Sequence, residues 1–501
     1  MKKAFKIVGF MFVMILLTKV LGQVREIIIG SIYGTGDLAA AFNIASVLPL
    51  NLFDIVFASA VVSAFIPVYN TYLEKDGEEE SDRFASAFLN LVFLGSFILC
   101  GILILFASPL VSLMSMSDEI TDEIRYIAQN LTIIVMPVMI FASLTFSFVG
   151  ILQSKGEFNI PAIMSLVLNV VMIVYLLFFN KIFGITGLAV SLLIGWILQF
   201  LLQLPFAAKL GFKYHFIFKH PGIPKVLALS LPVMVGTWLQ PITAIVNTAF
   251  ASGFPALNYA NRLYIIISSV FTASITNYIF PRLSKQSVTD DVENYKHTLK
   301  TSFKIIILFL IPLTATLLAL SNPIIDVVYS WGNFDADSLY YTSNIFFYYS
   351  LGILFFGLID LFNKAFYARK NTIVPSVTSV LAIGVTVVCS LILKNYMGVF
   401  GLALSSSISA IFASTVLFIF LNKELKFVDF SDFIDVIFSL LCGILTFVII
   451  TLLYKIIPLE NTKINLIIKI VVSAGVGALS YGGLIYLLSK DVRRMVKNII
   501  C

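Results

Sequence analysis

The chain has 501 residues, 59% of them hydrophobic and only 12% charged, with a mean hydropathy of +1.00 and a formal net charge of +6. A soluble domain carries roughly 25% charged residues, so a water-soluble globule is excluded. No basic stripe interleaved with aromatics is present, so no nucleic-acid partner is expected. Apolar stretches of about 20 residues, the length that crosses a bilayer core, follow one another from end to end. A lipid-exposed sheet would leave backbone groups unpaired, and a β-barrel would show short alternating segments. The expected fold class is therefore all-α: a polytopic membrane protein with about fourteen transmembrane helices. Their centres fall near residues 17, 54, 95, 138, 169, 196, 236, 269, 309, 354, 383, 409, 443 and 476.

Lys2, Lys3 and Lys6 precede the first segment. Its length, and the lack of a small-x-small cleavage site before Lys19 and Arg25, predict a retained span instead of a signal peptide. Lys19 and Glu26, seven apart, share one face of that helix. Asn43, Asn51 and Asp54 interrupt the second segment, and the acidic run Glu78-Glu79-Glu80 reads as a solvated connection. Lys209, Lys213, Lys219 and Lys225 lie between segments six and seven. Arg262 opens segment eight within Asn258-Tyr259-Ala260-Asn261-Arg262, and Asp360, Asn363 and Lys364 mark segment ten. Arg282, Lys285, Lys296, Lys300, Arg369, Lys370 and the tail residues Lys490, Arg493, Arg494 and Lys497 fall on the same side as Lys2 if the segments alternate. The positive-inside rule then puts both termini in the cytoplasm and requires an even number of spans. Cys100, Cys389, Cys442 and Cys501 show neither metal-ligand spacing nor a disulfide framework. His215, His220 and His297 sit in connections and read as surface residues.

The sequence repeats at a separation of 214 residues. Pro67, Pro109 and Pro161 pair with Pro281, Pro323 and Pro375, and Gly184 and Gly187 with Gly398 and Gly401. Gly187-Leu188-Ala189 returns as Gly401-Leu402-Ala403, with Ser191 on Ser405. Proline and glycine punctuate helices, so their coincidence predicts breaks at matching points. An offset of six spans returns the chain to the same side, which makes the copies parallel. The expected domains are a six-helix lobe over 1–209, a second over 222–422, and an extra helix pair over 431–490. Two lobes flanking a midplane cavity can rock about it, giving alternating access.

Charge within a span costs about 2.5–3.5 kcal/mol even on a lenient scale, so such side chains should face protein or water. Lys19, Arg25 and Arg262 are cations within spans of both copies, partly offset by Glu26 and Asp54, with Asn43 on nearly the same face as Asp54. Guanidinium groups bind phosphate through two parallel hydrogen bonds, so the expected ligand is a phosphate or pyrophosphate headgroup. Internal pairing, such as Arg25 with Glu26, is the structural alternative for these charges. No phosphate-binding Gly-x-x-x-x-Gly-Lys-Ser/Thr loop occurs. The expectation is a transporter and not an enzyme, with no cofactor and no metal, driven by an ion gradient, the membrane potential or the flux of substrate. A cation-coupled exporter of amphiphiles would lean on Asp54 and Asp360. A membrane transferase would need a metal-holding acidic cluster, for which Asp290-Asp291 is the sole candidate.

At these residues the chain resembles the MurJ (MviN) lipid II flippases of the multidrug/oligosaccharidyl-lipid/polysaccharide exporter superfamily. The resemblance is clearest in Thr18-Lys19-Val20-Leu21-Gly22-Gln23-Val24-Arg25-Glu26, where the family usually reads Ser-Arg-Val-Leu-Gly followed by Arg-Asp. It extends through Ala41-Phe42 with Leu48-Pro49, Ala64-Phe65-Ile66-Pro67-Val68, Ile151-Leu152-Gln153, Tyr259-Ala260-Asn261-Arg262-Leu263 and Pro281-Arg282-Leu283-Ser284. The resemblance implies a bacterial multi-pass plasma-membrane protein that flips an undecaprenyl-pyrophosphate-linked glycan from the inner to the outer leaflet. The substrate it implies is lipid II, the peptidoglycan precursor. It also implies a groove for the lipid tail in the last two helices, and cell-wall synthesis proteins as possible partners. The chain departs from the family at Ala39-Ala40, where an acidic residue is usual, and at Phe53-Asp54, where an arginine pair is usual. Lys19 replaces an arginine. These departures thin the cationic cavity and leave another lipid-linked polysaccharide unit as the alternative substrate.

Overall fold

A computed structural model describes residues 2–58, 64–116, 120–288, 291–460, 462–489 and 493. Asp290, Lys490, Arg494, Lys497 and Cys501 lie outside the described residues. Every element described is helical. The first stretch comprises α1 (Lys2–Tyr33), α2 (Asp37–Phe53), a π-helical segment (Asp54–Ala58) and α3 (Ile66–Lys75). It continues through α4 (Gly77–Leu105), α5 (Ala107–Leu113), α6 (Asp122–Val135), α7 (Val138–Ser154), α8 (Asn159–Val174), a second π-helical segment (Tyr175–Phe179) and α9 (Asn180–Lys209). Then come α10 (Gly222–Thr237), α11 (Leu239–Phe250), α12 (Ala256–Val288), α13 (Val292–Ala319), α14 (Ser321–Tyr329), α15 (Ala336–Ser350) and α16 (Ile353–Ala368). The chain closes with α17 (Ile373–Met397), α18 (Val399–Leu425), α19 (Phe430–Ile456) and α20 (Lys463–Leu488).

Among the described residues nine helical runs are long and apolar enough to cross a membrane, or ten if α15 and α16, bent by 43°, form one span. That is fewer than the fourteen segments expected. The run Asn159–Lys209 counts once, yet Gly184 (φ 53°, ψ −145°) interrupts it and α8 packs against α9, so it is a hairpin. The other expected segments, over α1, α10–α11 and α12, are helical as well.

The repeat register recurs in the backbone. α4 through α7 and α13 through α16 begin and end at positions 214 apart to within two residues, and so do the hairpins that follow, 159–209 and 373–425, the second turning at Gly398 (φ 58°, ψ −139°) as the first does at Gly184. Phe106 (φ −99°, ψ 20°) and Leu320 (φ −112°, ψ 20°) break the chain alike before α5 and α14. Thr121 caps α6 by accepting from the Ile124 N–H, as Asp335 caps α15 by accepting from the Ser338 N–H. The bond to Ser338 also holds the Asp335 carboxyl below its ordinary pKa. Ser191 and Ser405 each donate to the carbonyl three residues back, at 2.7 Å in both copies. Gly156 (φ 82°) is matched by Lys370 (φ 59°), and the side chains of Glu157 and Asn371 then each accept from two N–H groups opening the next helix.

The copies differ at their starts. α1 runs unbroken for 32 residues, whereas its counterpart breaks at Trp238 into α10 and α11. Conversely, α2 widens into the π segment at Asp54, whereas its counterpart α12 continues for 33 residues. A π turn frees backbone carbonyls from the regular ladder. Here the Trp238 indole donates to the Ile55 carbonyl at 3.0 Å.

By packing, the chain forms two compact units, Met1–Pro255 and Ala256–Cys501. α10 and α11 pack within the first, against α4, α3, α2 and the π segment. The first core runs through Ile44, Phe53, Phe65, Tyr69, Phe84, Leu131 and Met136, all nearly inaccessible. In the second unit α19 lies on α13, and α20 on α13, α14 and α19. Ion pairs hold that last helix pair at both ends. Lys300 reaches Asp432 at 2.7 Å and Lys304 reaches it at 2.6 Å, while Lys463 bonds Asp326 at 2.6 Å.

Candidate functional site

α1 places Thr18, Gly22 and Arg25 on one face at intervals of four and three residues, the helical spacing. That face meets α8. A Cβ at Gly22 would stand 3.6 Å from Asn169 Nδ2, an ordinary contact, so the glycine is not sterically required. Asn169 joins the helices by donating from Nδ2 to the Thr18 carbonyl (3.2 Å) while its Oδ1 accepts from Arg25 Nη1 (3.0 Å).

Arg25 is 8% exposed and Glu26 6%. The guanidinium donates from Nη2 and Nε to Glu26 Oε1, at 2.7 and 3.2 Å, and from Nη1 to the Met172 sulfur at 3.6 Å. A buried charge pair whose remaining donors are also satisfied is stable in place, and removing one partner costs about 3–5 kcal/mol because the other is stranded. The internal pairing of Arg25 with Glu26 is thus present. A ligand anion reaching this guanidinium must displace or share the carboxylate.

The other expected residues are placed as follows. Lys19 is half-buried on α1, two turns before Glu26. Asn43 is half-buried on α2, and its carbonyl accepts from Ser46 Oγ at 3.4 Å. Asp54 is exposed at the first position of the π segment. Arg262 is exposed on α12, in the other compact unit, beside the buried Leu263 and Tyr264. Tyr264 stacks on Tyr349, with ring centroids 5.5 Å apart. Asp360 and Lys364 pair one turn apart on α16 at 3.3 Å. Asp291, from the acidic pair considered for a transferase, caps α13 by accepting from the Asn294 N–H.

The structure therefore joins Arg25 and Glu26 and adds Asn169, which sequence reasoning missed. Its signal was a lone amide in the apolar run Leu166-Val167-Leu168-Asn169-Val170-Val171. Gln199 and Gln203 on α9 were missed in the same way. Both are almost wholly buried, and the Gln203 amide donates to the Gln199 carbonyl at 3.2 Å.

Comparison with known proteins bears on what this arrangement serves. The profile of the family described as "Lipid II flippase MurJ" matches residues 29–474. A "Probable lipid II flippase MurJ" of Buchnera aphidicola subsp. Acyrthosiphon pisum is 29% identical over 488 residues, covering 93% of this chain and 94% of the relative. A "Lipid II flippase MurJ" of Burkholderia cenocepacia is 27% identical over 427 residues and covers 82% of each. Among solved structures, one described as "Lipid II flippase MurJ, inward closed conformation" superposes with a TM-score of 0.81 at 25% identity. That match covers 95% of this chain and 98% of the other. An inward-facing multidrug transporter of the MATE family shares the fold, with a TM-score of 0.70 at 13% identity over 82% of this chain and 94% of the other.

Proposed function

We propose that this chain, which belongs to the lipid II flippase MurJ family, carries lipid II across a bacterial inner membrane as a multi-pass transporter. The single observation that carries the reading is the family match over residues 29–474, on a chain built almost wholly of apolar helices. Transport runs from the inner to the outer leaflet by alternating access, with both termini cytoplasmic as the lysine and arginine bias requires. Arg25 and Arg262 are the residues that bind the pyrophosphate, and Lys19, Glu26, Asn43 and Asp54 are further substrate-binding residues. Glu26 holds the guanidinium charged and oriented until the substrate anion takes its place. With no nucleotide-binding loop in the chain, the driving force is the membrane potential or an ion gradient. The apolar faces of α19 and α20 receive the lipid tail. No charged residue lies between Val436 and Leu453, and Leu441, Ile444, Val471 and Leu479 are exposed.

Expression of this chain in a strain depleted of its essential lipid II flippase tests the reading. Growth and delivery of lipid II to the outer leaflet are expected. Stable membrane insertion without rescue would sink it and favour another lipid-linked glycan.

A further inference from the structure

The connection between α9 and α10 is an extended strap laid along α4. Asp82, Ser86 and Asn90, spaced four apart on one face of that helix, take its backbone at alternate residues. The Lys213 N–H donates to Asp82 Oδ2 (2.9 Å), the His215 N–H to Ser86 Oγ (3.0 Å), and Asn90 Nδ2 donates to the Ile217 carbonyl (2.8 Å). The far end is fixed by His220, which is buried against Tyr72 and Phe84. Its Nδ1 accepts from the Gly222 N–H, and its Nε2 lies 3.0 Å from Glu80 Oε1.

A segment pinned this firmly would be expected to bury its large side chains. Instead Tyr214, Phe216 and Phe218 are 55%, 77% and 39% exposed, with the two phenylalanine rings touching edge to face at 5.3 Å. Lys209, Lys213 and Lys219 stand exposed among them, with no ion pair to any described residue. Of the acids opening α4, Glu80 is engaged with His220 and Arg83, and Glu78 and Asp82 with Lys155, while Glu79 is exposed. The strap starts at Lys209, where a hairpin long and apolar enough to cross a membrane ends, a position that suits the level of lipid headgroups. Exposed aromatics seek that layer, and clustered lysines seek anionic lipid phosphates.

We infer that residues 209–219 form an interfacial anchor docked on anionic lipid: Phe216 and Phe218 enter the headgroup layer beside Tyr214, whose hydroxyl stays on Asn90, and Lys209, Lys213 and Lys219 engage lipid phosphates. This goes beyond transport and does not depend on which substrate is flipped.

The test places a single cysteine at Phe216, and separately at Phe218, in a full-length chain with Cys100, Cys389, Cys442 and Cys501 changed to serine. Each is labelled with an environment-sensitive dye and reconstituted into nanodiscs of phosphatidylcholine with or without phosphatidylglycerol. A cysteine at Glu79, exposed on α4, is the aqueous reference. Bromine-substituted acyl chains should quench the strap dyes several-fold more than the reference, iodide should quench them several-fold less, and phosphatidylglycerol should widen both gaps. Lys209→Gln, Lys213→Gln and Lys219→Gln together should erase the effect of the anionic lipid while leaving thermal stability unchanged. Iodide quenching equal to the reference, or the same behaviour in both lipids, overturns the anchor. So does shielding that requires an added protein.

Discussion

Arg25 already has an anionic partner, and this changes what its substitution measures. Arg25→Ala strands Glu26 in a site 6% exposed, so the single variant loses about 3–5 kcal/mol of stability whether or not Arg25 ever meets a substrate. The informative variant is Arg25→Ala with Glu26→Ala, which removes both charges together. If Arg25 binds the pyrophosphate, the double variant is expected to regain membrane level and thermal stability but not transport. Losing one charge-assisted hydrogen bond costs about 1.5–3 kcal/mol, roughly ten- to a hundredfold in affinity. Rescue of a flippase-depleted strain by the double variant would show that Arg25 only neutralises Glu26. Arg25→Lys should restore transport in part, because a point charge cannot reproduce the guanidinium fork. Arg262 is exposed, so Arg262→Ala should abolish transport with little loss of stability. Asn169 supports the pair by bridging Arg25 and the Thr18 carbonyl. Asn169→Leu should therefore destabilise by about 1–3 kcal/mol through buried groups left without partners, read as a lowered midpoint in detergent. The motif around Arg25 could be read in the sequence, whereas Asn169 could not. A partner 144 residues away on another helix leaves no local pattern.

Prolines mark several of the helix breaks, some in both copies and some in one alone. Pro109 and Pro323 both sit in the first turn after a break, and Pro161 and Pro375 both open a hairpin arm. Pro49 precedes the π segment and has no equivalent at Leu263. Pro241 follows the break at Trp238 and has no equivalent at Ile27. The breaks before α5 and α14 and the starts of the hairpins were therefore legible from matched residues, whereas the break shared at Pro137 and Leu351 carries a proline in the first copy alone. The two local ones carried their signal in unmatched prolines, although nothing there told a π widening from a kink. Positive φ separates the glycines that are required. Gly184→Ala and Gly398→Ala each force a side chain into a conformation that L residues rarely adopt, at about 1–3 kcal/mol. Lys370 holds a positive φ where the first copy has Gly156. Lys370→Gly should relieve strain of about 1–2 kcal/mol, partly offset by glycine's greater freedom when unfolded. A small rise in the thermal midpoint is expected from it, and a fall from the two alanine variants. A fall on Lys370→Gly would mean that the lysine makes a compensating interaction.

At the scale of the molecule, hydropathy identified a membrane protein and the 214-residue offset described most of its backbone, because both depend on composition and chain geometry rather than on tertiary contacts. The packing division at residue 255 was not legible: α10 and α11 belong to the second copy in sequence yet pack within the first unit. Sidedness can now be tested with better-chosen positions. α4 and α13 begin at equivalent points of the repeat, and a helix of 28 residues, as α13 is, spans about 42 Å, enough to put its ends on opposite sides of a bilayer. Glu79 is exposed at the start of α4 and Asn333 is exposed in the connection after α14, whereas Ser81 is fully buried and makes a poor reporter. The lysines and arginines cluster on the Glu79 side, so that side should be cytoplasmic and Asn333 external. Glu79→Cys and Asn333→Cys, each in the background without native cysteines, are exposed to an impermeant maleimide in intact cells. Asn333→Cys should label at once, and Glu79→Cys only after the membrane is opened. Labelling of both in intact cells would mean that the copies are not parallel.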